Sequence, residues 1–224
     1  MKKNEEQIKR LGCLHAHHSN IEYIESALSS FMVEMVHFVD PGLMYQLVAN
    51  NNLEAVPARK KVREQLEWIA QCNVDAILIT CTNYIAILQE EIYPISIPII
   101  KIDEPFFENI CKIRLPHKIL FTNPATVAGT MERLEQYASS RQLSLDIEVE
   151  VIENSFELIM KGQKEKYTHE VYRYLKQEVK DDNRVVSVAQ LSMVEAVKKL
   201  ENETCKTIIN PLDTLVSKIL NRLE

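Results

Sequence analysis

Residues 76–83 have the sequence AILITCTN, and this stretch decides the fold class. The run AILIT is short, apolar and partly β-branched, which predicts a buried strand over residues 76–80. A short apolar stretch over residues 84–91 follows and is typical of a helix. A strand that leads directly into a helix is the unit from which parallel α/β sheets are built.

The same alternation continues on both sides of this unit. We predict strands over residues 8–14, 32–39, 95–102, 118–122, 145–151, 184–189 and 207–209, and helices over 59–72, 104–112, 125–139, 165–179 and 192–201, with a last helix opened by Pro211. This pattern predicts a parallel sheet with helices on both faces. We expect two similar α/β halves, residues 1–102 and residues 103–210. The C-terminal helix, residues 211–224, is expected to pack back on the first half.

Composition excludes several classes of protein. The net charge is −6 over 224 residues, which does not favour a nucleic-acid partner. The five cysteines are odd in number, widely spaced and without a CxxC pair, which indicates a reducing cytoplasm and no zinc ribbon. The four glycines lie far apart, so glycine-rich dinucleotide and phosphate loops are absent. No apolar segment is long enough to span a bilayer, so no membrane partner is expected.

Polar and reactive side chains follow the predicted strands. Ligands of parallel α/β sheets bind beyond the carboxyl ends of the strands, so these residues are the candidates for a site. They are Cys13, His15, His17, Cys81, Thr82, Asn83, Thr122, Asn123, Thr126, Gln190 and Ser192.

Cys81 is the sharpest of these candidates. It follows a predicted buried strand and precedes a predicted helix, whose positive end is expected to lower the pKa of the thiol. Thr82 and Asn83 are expected to cap that helix and to offer donors to an anion. The alternative is a buried structural cysteine beside a helix start, which is common.

Two motifs resemble one known family. ITCTNY at residues 79–84 resembles the first cysteine motif of the aspartate/glutamate/hydantoin racemase superfamily. TNPATV at residues 122–127 resembles the strand–loop–helix of its second half, which binds a substrate carboxylate. RVVSVAQLSM, at residues 184–193, lies where the second cysteine motif is expected. The resemblance covers nearly the whole chain in order and spacing.

The resemblance implies a function as well as a fold. It implies two pseudo-symmetric parallel-sheet α/β halves with an active site in the cleft between them, no metal, no organic cofactor and a homodimer. The implied activity is a racemase or isomerase acting on a small amino acid or related carboxylate, with Cys81 as the thiolate acid/base. Racemisation needs a base on one face of the α-carbon and an acid on the other, which explains why two cysteines are usual. Carboxylate-binding roles are implied for Thr82, Asn83, Thr122, Asn123, Thr126, Gln190 and Ser192.

One position departs from the family pattern. Gln190 stands where the second cysteine is expected, and a glutamine amide is not an acid or base near neutral pH. His15, His17 or Cys13 are candidates to replace the second thiol. Alternatively, Cys81 works alone, as in a single-cysteine decarboxylase, a lyase or a maleate-isomerase-like enzyme on a diacid. The remaining alternative is a protein that binds a carboxylate without turning it over.

The histidines of HAHH, residues 15–18, allow three interpretations. His15 and His17 would lie on one side of an extended chain, where imidazoles suit proton transfer. A metal site is disfavoured because no paired H-x-x-x-H or nearby carboxylate completes it. Loop histidines with local hydrogen bonds are the third interpretation. His37, inside a predicted strand, is interpreted as a core or partly exposed group.

Overall fold

The computed structural model describes residues 8–43, 46, 55–88, 95–180 and 183–223. The chain divides into two compact units, the first formed by residues 1–102 with 216–224 and the second by residues 103–215. Both units contain a parallel sheet with helices, so the predicted class of two α/β halves is confirmed. Within the described part of the chain, no helix is long and apolar enough to cross a membrane.

The first unit is a four-stranded parallel sheet. In chain order its elements are β1 (Lys9–His15), α1 (Ser19–Leu28), β2 (Val33–Val39), α2 (Ala55–Ala70), β3 (Ala76–Ile79), α3 (Thr82–Leu88) and β4 (Ile99–Lys101). The strand order is β2-β1-β3-β4. β4 begins directly after Pro98 and is the last strand of the sheet, as the proline predicts. Residues 89–91 of the helix predicted over 84–91 lie outside the described residues.

Burial explains the central strands of this unit. All four residues of β3 are buried, which is typical of a strand covered on both faces. On β1, a Cβ added at Gly12 would lie 2.6 Å from Cγ2 of Ile69 on α2. Only glycine therefore allows α2 to pack this closely on β1.

The second unit has a three-stranded parallel sheet. Its elements are α4 (Glu104–Lys112), β5 (His117–Phe121), a 3₁₀ turn (Pro124–Thr126), α5 (Val127–Ser139), β6 (Ile147–Val151), α6 (Ser155–Met160), α7 (Lys164–Glu178), β7 (Val185–Val188), a second 3₁₀ turn (Leu191–Met193) and α8 (Val194–Thr204). The strand order is β6-β5-β7. The strand predicted over residues 207–209 is reduced to one bridge between Ile209 and Ser187. The last helix, α9 (Pro211–Leu223), begins at the predicted proline and runs across the boundary of the two units.

Candidate active site

Cys81 lies between β3 and α3 in the first unit. Because α3 begins at Thr82, Cys81 itself occupies the N-cap position. The backbone N–H groups of Asn83 and Tyr84 donate hydrogen bonds to its sulfur. The Cys81 side chain is half-buried, whereas Thr82 and Asn83 are exposed. The thiol of Cys81 thus accepts hydrogen bonds from backbone N–H groups in the first turn of α3.

Burial decides the protonation of this thiol. It raises the pKa of Cys81, while the hydrogen bonds from the N–H groups of Tyr84 and Asn83 lower it by less. The expectation from sequence that the helix start gives a lowered pKa is therefore wrong, because desolvation outweighs the two donors. Near neutral pH Cys81 holds its proton, which makes it a proton donor at rest.

His15 and His17 have different surroundings. His15 ends β1 and is fully buried; burial first, and then His37, lower the pKa of its imidazole to about 4. His17 is exposed, and its Nδ1 lies 2.9 Å from the Ser19 hydroxyl. The expectation that both imidazoles lie on one side of an extended chain is wrong, because β1 ends at His15.

Both ring nitrogens of His15 have hydrogen-bond partners. Nδ1 lies 2.8 Å from Oγ1 of Thr80, and Nε2 lies 2.9 Å from Nδ1 of His37. Cys13, two residues before His15, is also fully buried, and burial raises the pKa of its thiol to about 12. Cys13 and His15 thus lie in the interior of the first unit, and Thr80, which His15 contacts, directly precedes Cys81.

Gln190 lies in a ring of donors in the second unit. Its Oε1 accepts hydrogen bonds from the Thr122 N–H at 2.7 Å, the Thr122 hydroxyl at 2.7 Å and the Asn123 N–H at 3.1 Å. We call these three donors the oxygen cradle. An amide oxygen has two lone pairs, so three converging donors are more than it ordinarily takes. Such a ring of donors resembles the arrangement that stabilises an oxyanion.

A chain of hydroxyls supports the oxygen cradle. The Tyr167 hydroxyl lies 3.0 Å from Oγ1 of Thr122 and 2.8 Å from Oγ of Ser192. Since Thr122 donates its hydroxyl hydrogen to Gln190, Tyr167 donates to Thr122 and Ser192 donates to Tyr167. Each hydroxyl of this series therefore donates to the next one, and the last, that of Thr122, donates to Oε1 of Gln190.

The loop after β5 is fixed by local hydrogen bonds. Oδ1 of Asn123 accepts the N–H of Ala125 at 3.0 Å, and Pro124 occupies the first turn, as expected for a helix start. The Thr126 hydroxyl donates to the Asn123 carbonyl at 2.9 Å. Thr126 thus steadies the loop, and Nε2 of Gln190 reaches its Oγ1 only at 3.5 Å.

Sequence reasoning missed two residues of these networks. Tyr167, Val171 and Leu175 are fully buried and recur every four residues on α7, so this spacing is the local signal that could have found Tyr167. His37 is partly exposed, as one of its two interpretations expects, but its contact with His15 was not foreseen. The register of two parallel strands would have found that contact.

Comparison with known proteins gives a fold assignment. No family model matches the sequence, and no curated protein is similar to it in sequence. Aspartate racemase from Picrophilus torridus is similar in structure, with TM-score 0.67 and 13% identity over 96% of each chain. Allantoin racemase from Klebsiella pneumoniae has TM-score 0.62 and 18% identity over 95% of this chain and 86% of its own.

A decarboxylase shares the same fold. A mutant of arylmalonate decarboxylase in a sulfate-associated form has TM-score 0.60 and 9% identity over 96% of this chain and 93% of its own. The chain therefore has the fold of the aspartate/glutamate/hydantoin racemase superfamily. At this level of identity, the likeness assigns the fold alone.

Proposed function

We propose that this protein is a cofactor-independent enzyme of the racemase type that transfers a proton at the carbon next to a carboxylate. The observation that carries the proposal is the Cys81 thiol, held at a strand end by two backbone N–H groups and protonated at rest. A positioned side chain that gives or takes a proton accelerates such reactions about 10²–10⁴-fold.

The proton step follows from the state of the thiol. When a diacid loses CO2, the C–C bond breaks and its electron pair stays on the carbon next to the remaining carboxylate. That electron pair takes the proton of Cys81, so that a C–H bond forms and the S–H bond breaks. The resulting thiolate is stabilised by the N–H groups of Asn83 and Tyr84 and regains a proton from water. Because burial raises the pKa of Cys81, the thiol holds its proton near neutral pH and the donor is in place when the carbanion forms.

The oxygen cradle supports a carboxylate as the substrate class. Its three donors surround one oxygen at hydrogen-bond distance and match the charge of an anionic oxygen better than that of a neutral amide. We propose that a substrate carboxylate oxygen takes the place of Oε1 of Gln190 there. Ser192 and Tyr167 would act through Thr122, whose hydroxyl they orient.

A one-thiol reaction is favoured over two-base racemisation. Gln190 offers no acid or base, and its side-chain oxygen is held by the cradle. His15 is enclosed, with both ring nitrogens engaged. We therefore favour a decarboxylase that acts on a small diacid, in which CO2 leaves and Cys81 alone delivers the proton to the resulting carbanion.

Racemisation of a small amino acid is the second candidate. The observation that favours it is the exposed imidazole of His17, which follows β1 and has an ordinary hydrogen bond to Ser19. An imidazole can both give and take a proton, so His17 would supply the second acid/base. The two candidates differ in product, since a two-base reaction interconverts enantiomers.

A substrate screen tests the proposal. The full-length protein is incubated with substituted malonates, maleate, acidic amino acids, hydantoins and hydroxy acids, and products are separated by chiral chromatography. We expect turnover of a diacid to a single product, lost in Cys81→Ser and kept in Cys72→Ser, a matched change of a partly exposed cysteine that follows α2.

Other outcomes are informative. Interconversion of enantiomers that is lost in His17→Gln would favour the two-base racemase. Carboxylate binding by calorimetry without turnover of any compound would contradict the enzymatic proposal and favour a binding protein.

A further inference from the structure

A cluster of sulfur and imidazole lies on one face of the first unit's sheet. β1 and β2 are parallel, and Cys13 pairs in register with His37. Paired residues of neighbouring parallel strands project to the same face, and His15 shares that face because it lies two residues after Cys13. Sγ of Cys13, one ring nitrogen of His15 and one ring nitrogen of His37 lie within 4.8 Å of one another.

Thr80 fixes the tautomer of His15. Its hydroxyl donates to the Leu14 carbonyl at 3.2 Å, so toward His15 it can only accept. Nδ1 of His15, 2.8 Å from Oγ1 of Thr80, therefore carries the ring hydrogen. A neutral His15 then directs the lone pair of Nε2 toward Nδ1 of His37, 2.9 Å away.

The other neighbour of His37 is Glu25 on α1. Oε1 of Glu25 lies 3.4 Å from Nε2 of His37, but this nitrogen forms no hydrogen bond. The hydrogen-bond partner of His37 is therefore Nε2 of His15, which Nδ1 of His37 meets at 2.9 Å. A cation bound by both nitrogens would take the place of the single hydrogen between them.

We propose that Cys13, His15 and His37 form a binding site for a zinc ion. The ligands are Sγ of Cys13, Nε2 of His15 and Nδ1 of His37. One thiolate with two imidazoles is a donor set that suits zinc. On binding, the thiol of Cys13 releases one proton to solvent and its sulfur forms a bond to the metal.

The geometry requires small movements only. With Zn–N near 2.1 Å and Zn–S near 2.3 Å, ligand atoms of a tetrahedral site lie about 3.3–3.7 Å apart. The two nitrogens therefore separate by about 0.4 Å from their 2.9 Å, and the sulfur approaches by about 1 Å.

Two residues complete the surroundings of this site. Metal-bound histidines usually donate their other N–H to a carboxylate, a carbonyl or water, which fixes the tautomer. Glu25 would accept from Nε2 of His37, and Thr80 accepts from Nδ1 of His15 in the same way. The side chain of His37 is 15% exposed, so the metal can reach the cluster from that side.

Cobalt titration of the metal-free, reduced, full-length protein tests this site. We expect one equivalent of Co²⁺ to give a near-ultraviolet thiolate-to-cobalt band, which one equivalent of Zn²⁺ removes. Cys13→Ser and His37→Gln should abolish the band. Cys72→Ser and His17→Gln, matched changes of a cysteine and a histidine outside the cluster, should keep it.

Glu25→Gln provides a variant that is expected to fold, because the Glu25 side chain is 56% exposed. Loss of this partner should weaken Co²⁺ binding about 10–100-fold. Absence of a stoichiometric band in the wild-type protein overturns the site. A band that survives in folded His37→Gln also overturns it, since another cysteine would then hold the metal. In that event the contact of His15 and His37 is an ordinary hydrogen bond between the two rings.

Discussion

In the first unit the strand ends carry thiol and imidazole groups, whereas in the second unit they carry hydroxyl and amide groups. Cys81, His15 and His17 can change their protonation, but Thr122 and Gln190 can only exchange hydrogen bonds. Both sets of residues lie at the carboxyl ends of parallel strands, so equivalent positions of the two sheets carry different chemical groups. The proposed function therefore assigns proton transfer to groups of the first unit and oxygen binding to groups of the second.

Of the predicted effects, the largest is the loss of kcat when the thiol of Cys81 is removed. With the substrate found in the screen, Cys81→Ala should reduce kcat about 10²–10⁴-fold, because the proton donor is removed. Cys111→Ala, a partly exposed cysteine of the second unit, should leave kcat unchanged. Steady-state kinetics with circular dichroism of each variant make the measurement. An equal loss of kcat in Cys81→Ala and Cys111→Ala would mean that Cys81 is not the proton donor.

The pH dependence of alkylation tests whether the pKa of Cys81 is raised. Iodoacetamide reacts with the thiolate, so the rate at Cys81 should rise about tenfold per pH unit while pH stays below the thiol pKa. Because burial raises the pKa of Cys81, the rise should continue at pH values where free cysteine has levelled off. Peptide mass spectrometry follows the modification of Cys81. If the rate levelled off at a lower pH than for free cysteine, the N–H groups at the helix start would lower the pKa by more than burial raises it.

Adding a charge to the cradle tests the second unit. Gln190→Glu places a carboxylate oxygen among the three donors and should raise the free energy of unfolding by about 1 kcal/mol near pH 7. The donors should lower the pKa of the introduced carboxyl in the folded state. The gain is therefore present above its unfolded pKa and is lost as pH falls through the lower folded value. Urea unfolding across pH makes the measurement, and a loss of stability near pH 7 would contradict an anion-binding cradle.

Removing the amide should have a modest effect of opposite sign. Gln190→Ala leaves the donors of Thr122 and Asn123 without their acceptor and should lower the free energy of unfolding by about 1 kcal/mol. The vacated cradle should recover part of this loss in the presence of acetate, which supplies a carboxylate oxygen. Thermal melts with and without acetate, compared with the wild-type protein, provide the readout. No difference in the acetate effect between the two proteins would count against the cradle.

Local structure could be predicted from the sequence because its causes are local. The buried strand over residues 76–80 is observed as Ala76–Ile79, and Asn123 with Pro124 does open a helical segment. That segment begins as a 3₁₀ turn, and the helices Ser19–Leu28 and Ser155–Met160 were not predicted. Periodicity and capping describe a few consecutive residues, which sufficed for the class of the fold.

The site could be predicted in its residues but not in its contacts. Gln190 reaches Thr122 across 68 positions of sequence, and His37 meets His15 only through the register of two strands. The raised pKa of Cys81 depends on burial by residues distant in the chain, which a rule about helix ends does not include. These properties arise from tertiary packing, so single-sequence patterns could not supply them.

The most direct test of the central claim is to count solvent deuterium in the product formed in heavy water. The account predicts that the wild-type protein places one deuterium on the carbon next to the carboxylate in a single configuration. Cys81→Ala, confirmed as folded, should place none at a comparable rate. Equal and stereospecific incorporation by Cys81→Ala would contradict the claim that this thiol delivers the proton.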